Sequence, residues 1–251
     1  VGMTIPTFPG TTNHKFGSDC YLSADGNTLA VGAPGAGNPA NRGAVYVFNR
    51  YVSTTPAPFG TATWKFTCLI GATSTAVPTA LALAGNGFTT AANFGYALQM
   101  SSDGNVLAVG APNDPAGVAT GTGSCTVFVR SLLNTGNNYS WTQQMYIVAT
   151  SAANATTMPL NIVTGSAGVY TTIAAIGITS LANFGADIAL DDRGDTLIVG
   201  GNLDNTNAGA IWLFRRIQLA TTSTTFYKPI FKYSATDAGL SATAKFGFWG
   251  N

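Results

Sequence analysis

The chain offers few side chains that could perform acid–base or nucleophilic chemistry. All ten acidic residues are aspartates, and His14 is the only histidine. A catalytic triad needs a base that is oriented by a carboxylate and placed beside a nucleophile, and the chain has no Gly-X-Ser-X-Gly segment. We therefore predict no catalytic residue and a non-enzymatic protein, with His14 in a surface loop. A hydrolase is the least favoured alternative.

Metal binding has one candidate location. Asp191, Asp192 and Asp195 cluster in sequence, and a Ca²⁺ site takes six or more oxygen ligands, usually with several carboxylates. A solvated, aspartate-rich turn is the favoured interpretation, so no cofactor is predicted, with Ca²⁺ the one candidate. The three cysteines show no Cys-X-X-Cys or Cys/His spacing of the kind that binds zinc.

An internal repeat organises the elements that must position these residues. Phe-Gly pairs begin at Phe16, Phe94, Phe184 and Phe246. The first three open segments that align without gaps: FGSDCYLSADGNTLAVGAP (16–34), FGYALQMSSDGNVLAVGAP (94–112) and FGADIALDDRGDTLIVGGN (184–202). Self-similarity of this kind is the sequence signature of a repeat architecture.

Each aligned segment predicts a β-hairpin. Apolar residues two apart, such as Cys20 and Leu22, indicate a strand with one buried face. Asp25-Gly26 and Asp103-Gly104 follow, and Asp-Gly between apolar runs is a strong hairpin signal. A second apolar strand comes next and runs into a glycine.

Two further strands complete each repeat. A third strand is predicted in GAVYVFNR (43–50), SCTVFVR (124–130) and GAIWLFRR (209–216), and a fourth follows a polar loop. Four short antiparallel strands per repeat are typical of a propeller blade. Aromatic residues that recur once per repeat are interpreted as packing between blades: Phe48, Phe128, Phe214, Trp64, Trp141 and Tyr227.

The order of these motifs resembles the FG-GAP repeat. A Phe-Gly pair, an Asp-Gly-Asn turn, Leu-Ala-Val-Gly-Ala-Pro and Gly-Ala-Val-Tyr-Val-Phe follow one another in the first copy. FG-GAP repeats form the β-propeller of integrin α-subunits, and the chain looks most like the variant of microbial and viral surface proteins. The resemblance implies a propeller, usually of seven blades, that acts in adhesion or assembly. Integrin-type copies carry a longer, Asp-rich Ca²⁺ loop, which the short turns here lack.

We predict an all-β fold, a β-propeller or propeller segment of four-stranded antiparallel blades. Residues 1–251 form one domain, with three complete repeats that start near 16, 94 and 184 and a partial repeat from 246. Propellers close with about four to eight blades, so three do not make a familiar ring. Either the chain is a piece of a longer protein, which is favoured, or blades from other chains complete it.

The repeat also accounts for residues that could be taken as functional. Cys20, Cys68 and Cys125 fall where sister repeats have hydrophobic residues, which predicts buried free thiols; one disulfide or an intermolecular bond is the alternative. Arg193-Gly194-Asp195 is the tripeptide that integrins recognise in their ligands. Because Gly194 aligns with the turn glycines, the tripeptide is interpreted as a hairpin turn.

Two insertions are the main candidates for contacts with other protein chains. Residues 74–93 and 151–183 separate a fourth strand from the next Phe-Gly pair, and such propeller loops commonly carry function. The second insertion has two apolar runs, which predict either an interface or an extra hairpin on its own blade. The interface candidates are Leu160, Ile162, Val163, Val169, Tyr170, Ile173, Ile176 and Ile178. Glycosylation sequons lie at Asn138 and Asn154.

Composition narrows the function further. Charged residues make up 8% of the chain and the net charge is +1, so neither nucleic-acid binding nor membrane insertion is expected. Sparse charge favours an extracellular, cell-surface or virion-surface location. The favoured function is a surface or adhesion module that binds proteins, or glycans, through its loops. The alternative is a structural component of a large assembly such as a virus particle, filament or extracellular sheath.

Overall fold

The protein is described by a computed structural model that covers most of the chain. The described residues are 13–37, 41–52, 62–71, 80–82, 91–115, 122–132, 139–149, 158–164, 170–178, 182–218, 225–241 and 243–247. They form fifteen β-strands and one short helical turn, arranged as three sheets that follow one another along the chain. The predicted all-β class is confirmed.

Each sheet is built on an antiparallel meander of four strands. Sheet 1 contains β1 (Cys20–Leu22), β2 (Thr28–Ala33), β3 (Ala44–Val52), β4 (Ala62–Gly71) and β5 (Ala80–Ala82). Sheet 2 contains β6 (Leu98–Met100), β7 (Val106–Ala111), β8 (Ser124–Leu132), β9 (Tyr139–Ala149), β10 (Met158–Thr164) and β11 (Tyr170–Ile178). Sheet 3 contains β12 (Asp187–Leu190), β13 (Thr196–Gly201), β14 (Ala210–Gln218) and β15 (Thr225–Ser234), with the turn α1 (Asp204–Asn207) between β13 and β14.

The predicted four antiparallel strands are present in every sheet, and two of the three sheets carry additional strands. In sheet 1, β5 comes from the insertion 74–93 and pairs with β4 in parallel. In sheet 2, β10 and β11 come from the insertion 151–183 and extend the meander beyond β9. The outer strand of a meander has one unpaired edge, and the inserted segments add to that edge.

The strand register repeats from sheet to sheet. The third and fourth strands carry a β-bulge at the same place in every copy, after Val47, Val127 and Leu213. A bulge inserts one extra residue into one strand and bends it, so the shared position shows that the repeats correspond along their whole length.

Phe-Gly pairs join consecutive sheets. Phe94, Phe184 and Phe246 form parallel bridges with Gly43, Gly123 and Gly209 of the preceding sheet. The glycine of the Phe-Gly pair is equally close to the preceding sheet: a Cβ added at Gly110 would lie 2.0 Å from the carbonyl oxygen of Gly185. The two backbones can approach this closely only because neither residue has a side chain.

The hydrophobic cores lie between the sheets. We call the face toward the preceding sheet the leading face, and the opposite one the trailing face. Leu98, Met100 and Phe128 on the leading face of sheet 2 pack against the trailing face of sheet 1. The trailing face of sheet 2 packs in the same way against sheet 3, where Trp212 and Phe214 are fully buried. The recurring aromatics therefore form the core, with Trp64 half-buried.

Candidate functional site: turns and sheet junctions

Aspartates in the first two hairpin turns hold their own backbone. Ser23 Oγ donates a hydrogen bond to Asp25 Oδ1 at 2.6 Å, and the N–H of Asn27 donates to the same oxygen at 3.0 Å. The N–H of Thr28 donates to Ser23 Oγ at 2.9 Å. The hydrogen bond from Ser23 is the main reason that the pKa of Asp25 lies below its usual value. Residues 101–106 repeat these contacts in sheet 2.

In the third turn a single carboxylate accepts the backbone hydrogen bonds of the turn. Asp191 stands where the other repeats have serine, and its Oδ1 accepts from the N–H groups of Asp195 and Thr196 at 2.6 and 3.0 Å. One Asp side chain thus replaces the Ser–Asp pair of the earlier turns. The residue before the turn glycine no longer has to be an aspartate, and here it is Arg193.

The three cation candidates make separate contacts. Asp191 caps its own turn, whereas Asp192 Oδ1 accepts from Ser102 Oγ of sheet 2 at 2.7 Å. Asp195 is half-buried in the turn. Among the described residues, no three His, Cys, Asp or Glu side chains are grouped to hold a metal ion.

The Arg-Gly-Asp tripeptide forms the predicted hairpin turn. Gly194 has a φ of +70°, and a Cβ there would lie 2.8 Å from Val106 Cγ2 of sheet 2. The Tyr227 hydroxyl donates to the Gly194 carbonyl, and burial raises the pKa of Tyr227 well above its ordinary value. The turn is therefore packed onto its neighbour sheet, with Arg193 exposed.

Arg130 ties sheet 2 to sheet 1. Its guanidinium donates to Thr28 Oγ1 of sheet 1 at 2.7 Å, to Asn105 Oδ1 at 3.0 Å and to the Asp103 carbonyl at 3.1 Å. It also lies over the Tyr139 ring, 4.2 Å from the centroid. Burial lowers the pKa of Arg130. Sequence reasoning missed this residue, although an arginine at the end of every third strand was a visible signal.

A buried aspartate follows the second strand in two of the repeats. Asp114 accepts from Ser124 Oγ at 2.5 Å and from the Tyr146 hydroxyl at 2.6 Å. At the equivalent position in sheet 3, Asp204 lies 2.5 Å from Lys232 Nζ. Both aspartates are fully buried. They too were missed, because loop residues at this position give no periodic signal.

Asp19 directly precedes β1 and connects it to β6, the first strand of sheet 2. Its Oδ2 accepts from the backbone N–H of Leu98 at 2.6 Å, and its Oδ1 accepts from the N–H of Cys20 at 2.8 Å. Burial raises the pKa of Asp19, and the charge of Asp187 acts in the same direction. The carboxylate therefore satisfies an edge N–H of the next sheet at a cost in desolvation.

The cysteine prediction holds for two residues and is wrong for the third. Cys68 and Cys125 are buried free thiols, and burial raises the pKa of Cys125 far above its ordinary value. Cys20 is free but exposed. Its equivalents Leu98 and Ile188 are buried against a preceding sheet, and no described residue plays that part for sheet 1.

The remaining predicted residues are placed as follows. His14 lies in a loop before β1, as predicted, and its carbonyl accepts from the Gly35 N–H at 3.0 Å. Seven interface candidates lie on β10 or β11, which pair as a hairpin. This matches the predicted alternative of an extra hairpin and leaves the interface itself a prediction. Val169, Asn138 and Asn154 lie outside the described residues.

Comparison with known proteins adds no family to this picture. No protein-family model matches the chain, and no curated protein matches it significantly. Within the described ranges, no helix is long and apolar enough to span a membrane. Function is therefore inferred from the sheets, their turns and their exposed faces.

Proposed function

We propose that the chain is a non-enzymatic binding module made of FG-GAP-type blades in a β-propeller arrangement, and that its end sheets join further blades. The exposure of the outer faces carries this proposal. Leu22 on the leading face of sheet 1 is 50% exposed, whereas its equivalents Met100 and Leu190 are 1% and 9% exposed. Phe16 and Cys20 are exposed beside it.

The trailing face of sheet 3 has the same character. Phe231 is 44% exposed, whereas its equivalents Cys68 and Met145 are 7% and 0% exposed. Phe246 and Gly247 also repeat, on sheet 3, the contact through which each Phe-Gly pair joins a preceding sheet. Sheet 3 therefore presents the features that sheets 1 and 2 use to bind the sheet after them.

The occupant of these faces is another blade of this type. The leading face of one sheet packs on the trailing face of the one before it at both internal junctions, so the two exposed faces are complementary by the same geometry. Contacts between unlike faces can continue from copy to copy or close into a ring. The added blades come from the same polypeptide or from a second copy of the chain.

Native mass measurements on the 251-residue chain test this proposal. We expect a concentration-dependent species of at least twice 25.7 kDa, because exposed apolar faces of this kind associate. Leu22→Glu and Phe231→Glu should each return the mass to one chain, and Leu22→Met should not. A chain that is monomeric at every concentration, or association that both Glu variants retain, would contradict the proposal.

A second candidate, a structural component of a larger assembly, is favoured by β11. This nine-residue strand is the outermost of sheet 2 and contains no charged residue and no proline. Natural edge strands are usually protected by charge, proline or bulges, and an unprotected edge is a template for adding a strand from another chain.

A lysine on β11 separates the two candidates. If the edge adds strands, Ala175→Lys should abolish assemblies larger than those formed through the end faces, whereas Ala175→Ser should leave them unchanged. Light scattering at matched concentrations measures the difference. Equal assembly size for both variants would exclude the edge as the contact.

A further inference from the structure

One arginine recurs at the same place in every repeat. Arg50, Arg130 and Arg216 each donate their backbone N–H to the carbonyl of the residue after the turn glycine, at 2.8, 2.8 and 2.7 Å. The three side chains therefore start from equivalent points. What each side chain binds depends on the residues that surround it at its junction.

At the junction of sheets 1 and 2, the arginine side chain has hydrogen-bond acceptors in both sheets. Arg130 uses its Nε and both terminal nitrogens in the three hydrogen bonds described above. Its acceptor in the neighbouring sheet is the hydroxyl of Thr28, which is 1% exposed. Three of the five N–H groups of this guanidinium thus have acceptors in the protein.

The junction of sheets 2 and 3 has lost that acceptor. Val106 stands at the position of Thr28, and a valine side chain cannot accept a hydrogen bond. Among the described residues, the Arg216 side chain makes no hydrogen bond or ion pair, and its Nε is buried. A buried N–H group without an acceptor is costly, so this junction lacks the stabilising contact that Arg130 makes with Thr28.

The same junction gains a second cation. Arg193 stands where the earlier turns have Asp25 and Asp103, because Asp191 has taken over the capping of this turn. The Arg193 side chain is exposed and, within the described part of the chain, forms no ion pair. The sequence divergence of the third repeat therefore removes an acceptor and adds a positive charge at one place.

A cavity of about 520 Å³ lies between sheets 2 and 3, where these residues meet. We call it the arginine cavity; its lining includes Arg130, Arg193, Arg216, Val106, Tyr139 and Asp103. Three arginines and one aspartate thus line it. Asp103 accepts hydrogen bonds from Ser101 and Asn105 and keeps its negative charge, so the lining residues carry three positive charges and one negative charge.

Two further carboxylates, of Asp191 and Asp195, lie near the cavity without lining it. The charges of Asp191 and Asp195 act on Tyr227 in opposition to that of Arg216, so both lie in its neighbourhood. Asp191 is committed to two backbone N–H groups of its turn. Neither residue forms an ion pair with Arg216 in the described structure.

We propose that the arginine cavity binds an oxyanion, a carboxylate or a sulfate, carried by a small polar ligand such as an acidic monosaccharide. Guanidinium groups bind carboxylate and sulfate-like oxygens through paired, charge-assisted hydrogen bonds. Arg216 and Arg193 both line the cavity, the first half-buried and the second exposed. The inference is independent of the proposed blade-to-blade contacts, since the cavity lies at an internal junction.

Titration of the folded chain, followed by the arginine Nε–H signals in NMR, tests this inference. The probes are sodium sulfate, sodium glucuronate and glucose, with ionic strength held constant by sodium chloride. We expect a saturable shift of the Arg216 signal with sulfate, glucuronate or both, and none with glucose. Sulfate alone identifies a tetrahedral anion as the ligand group, and glucuronate alone identifies a sugar carboxylate.

Three variants define the site. Arg216→Gln should weaken binding at least about tenfold, because hydrogen bonds to charged groups are the strong ones. Val106→Thr restores the acceptor of the other junction, so its hydroxyl should compete for Arg216 and weaken binding about threefold. Arg215→Gln is the matched control, since Arg215 is exposed and adjacent in β14, and it should leave binding unchanged.

Two results would overturn the inference. One is the absence of saturable binding of both anions by a chain whose NMR spectrum shows it to be folded. The other is equal affinity in the chain and in Arg216→Gln, which would locate binding elsewhere. Val106→Thr keeps the charge and nearly the shape of the junction, so an unchanged affinity in that folded variant also counts against Arg216 as the donor.

Discussion

The buried pair of Asp204 and Lys232 gives the sharpest prediction about stability. Asp204 is fully buried, and its carboxylate lies 2.5 Å from Lys232 Nζ, which also sits over the Trp212 ring. At the same two positions sheet 1 has Ala36 and Leu69, both fully buried. These two positions are therefore occupied by an ion pair in sheet 3 and by apolar residues in sheet 1.

The two single substitutions should differ in cost. Lys232→Leu leaves a buried carboxylate without its cation, which typically costs about 3–5 kcal/mol. Asp204→Ala should cost less, about 1–2 kcal/mol, because the Lys232 side chain is 19% exposed and can turn its ammonium group to water. The double variant copies sheet 1 and should lie within about 1 kcal/mol of the parent chain, since apolar replacements of buried pairs are often neutral.

Urea denaturation followed by far-UV circular dichroism measures these free energies of unfolding. Lys228→Leu is the control, because Lys228 lies on the same strand and is exposed; it should change stability by less than about 0.5 kcal/mol. The coupling energy of the cycle should be at least about 2 kcal/mol. Additive losses, or a Lys232→Leu variant as stable as its parent, would refute the reasoning.

Three further predictions concern the sheet junctions and turns. Gly110→Ala should lower the free energy of unfolding in urea by about 3 kcal/mol, because its Cβ would lie 2.0 Å from the Gly185 oxygen. Gly17→Ala is the control: its Cβ would meet nothing within 4 Å, and its φ of +88° alone should cost about 1 kcal/mol. Equal losses for the two variants would contradict this. The raised pKa of Asp19 means that its ionisation above the unfolded value of 3.8 destabilises the fold. Asp19→Ala removes two accepted hydrogen bonds and should lose about 1–2 kcal/mol at pH 7; it should lose more at roughly pH 3, where the parent has the protonated carboxyl, and a smaller loss there would contradict this. The lowered pKa of Asp25 contributes stability that is present above the unfolded value of 3.8 and lost as pH falls through the folded value. In Asp25→Asn the free energy of unfolding should therefore fall less steeply as the pH is lowered. The same dependence in both proteins between roughly pH 2 and 6 would contradict this.

The local elements of the fold could be predicted from sequence because their signals are local. The Asp-Gly turn at Asp25, strand β1 and a third strand that includes Arg50 all appear where the repeat predicts them. Alternation and turn residues report the backbone directly. Residues that the alignment makes equivalent also have equivalent partners beside the bulge: Cys68 lies opposite Val47, Met145 opposite Val127 and Phe231 opposite Leu213.

The exposure of Cys20 could not be predicted in this way. A period-2 pattern says that one face of a strand is apolar, and it does not say whether another sheet covers that face. Leu98 and Ile188 are covered and Cys20 is not. The aligned repeats are equivalent within a sheet but differ in their neighbours.

The contacts of the junction residues could not be predicted from the sequence for a different reason. Arg130 bonds to Thr28, a residue 102 positions away, and only the stacking of sheets brings them together. The role of Asp191 was also missed, since an aspartate-rich turn has the composition of a cation site even where its carboxylates cap the backbone. Comparison of the three turns position by position, Ser23 and Ser101 against Asp191, was the signal that could have found it.

The central claim, that another blade covers the leading face of sheet 1, is tested most directly by maleimide labelling of Cys20. The measurement compares protein from its native source with the isolated 251-residue chain at low concentration, with the buried Cys68 and Cys125 as internal controls. Cys20 should react readily in the isolated chain and be protected at least about tenfold in the native material. Equal rates for Cys20 in the two preparations would contradict it.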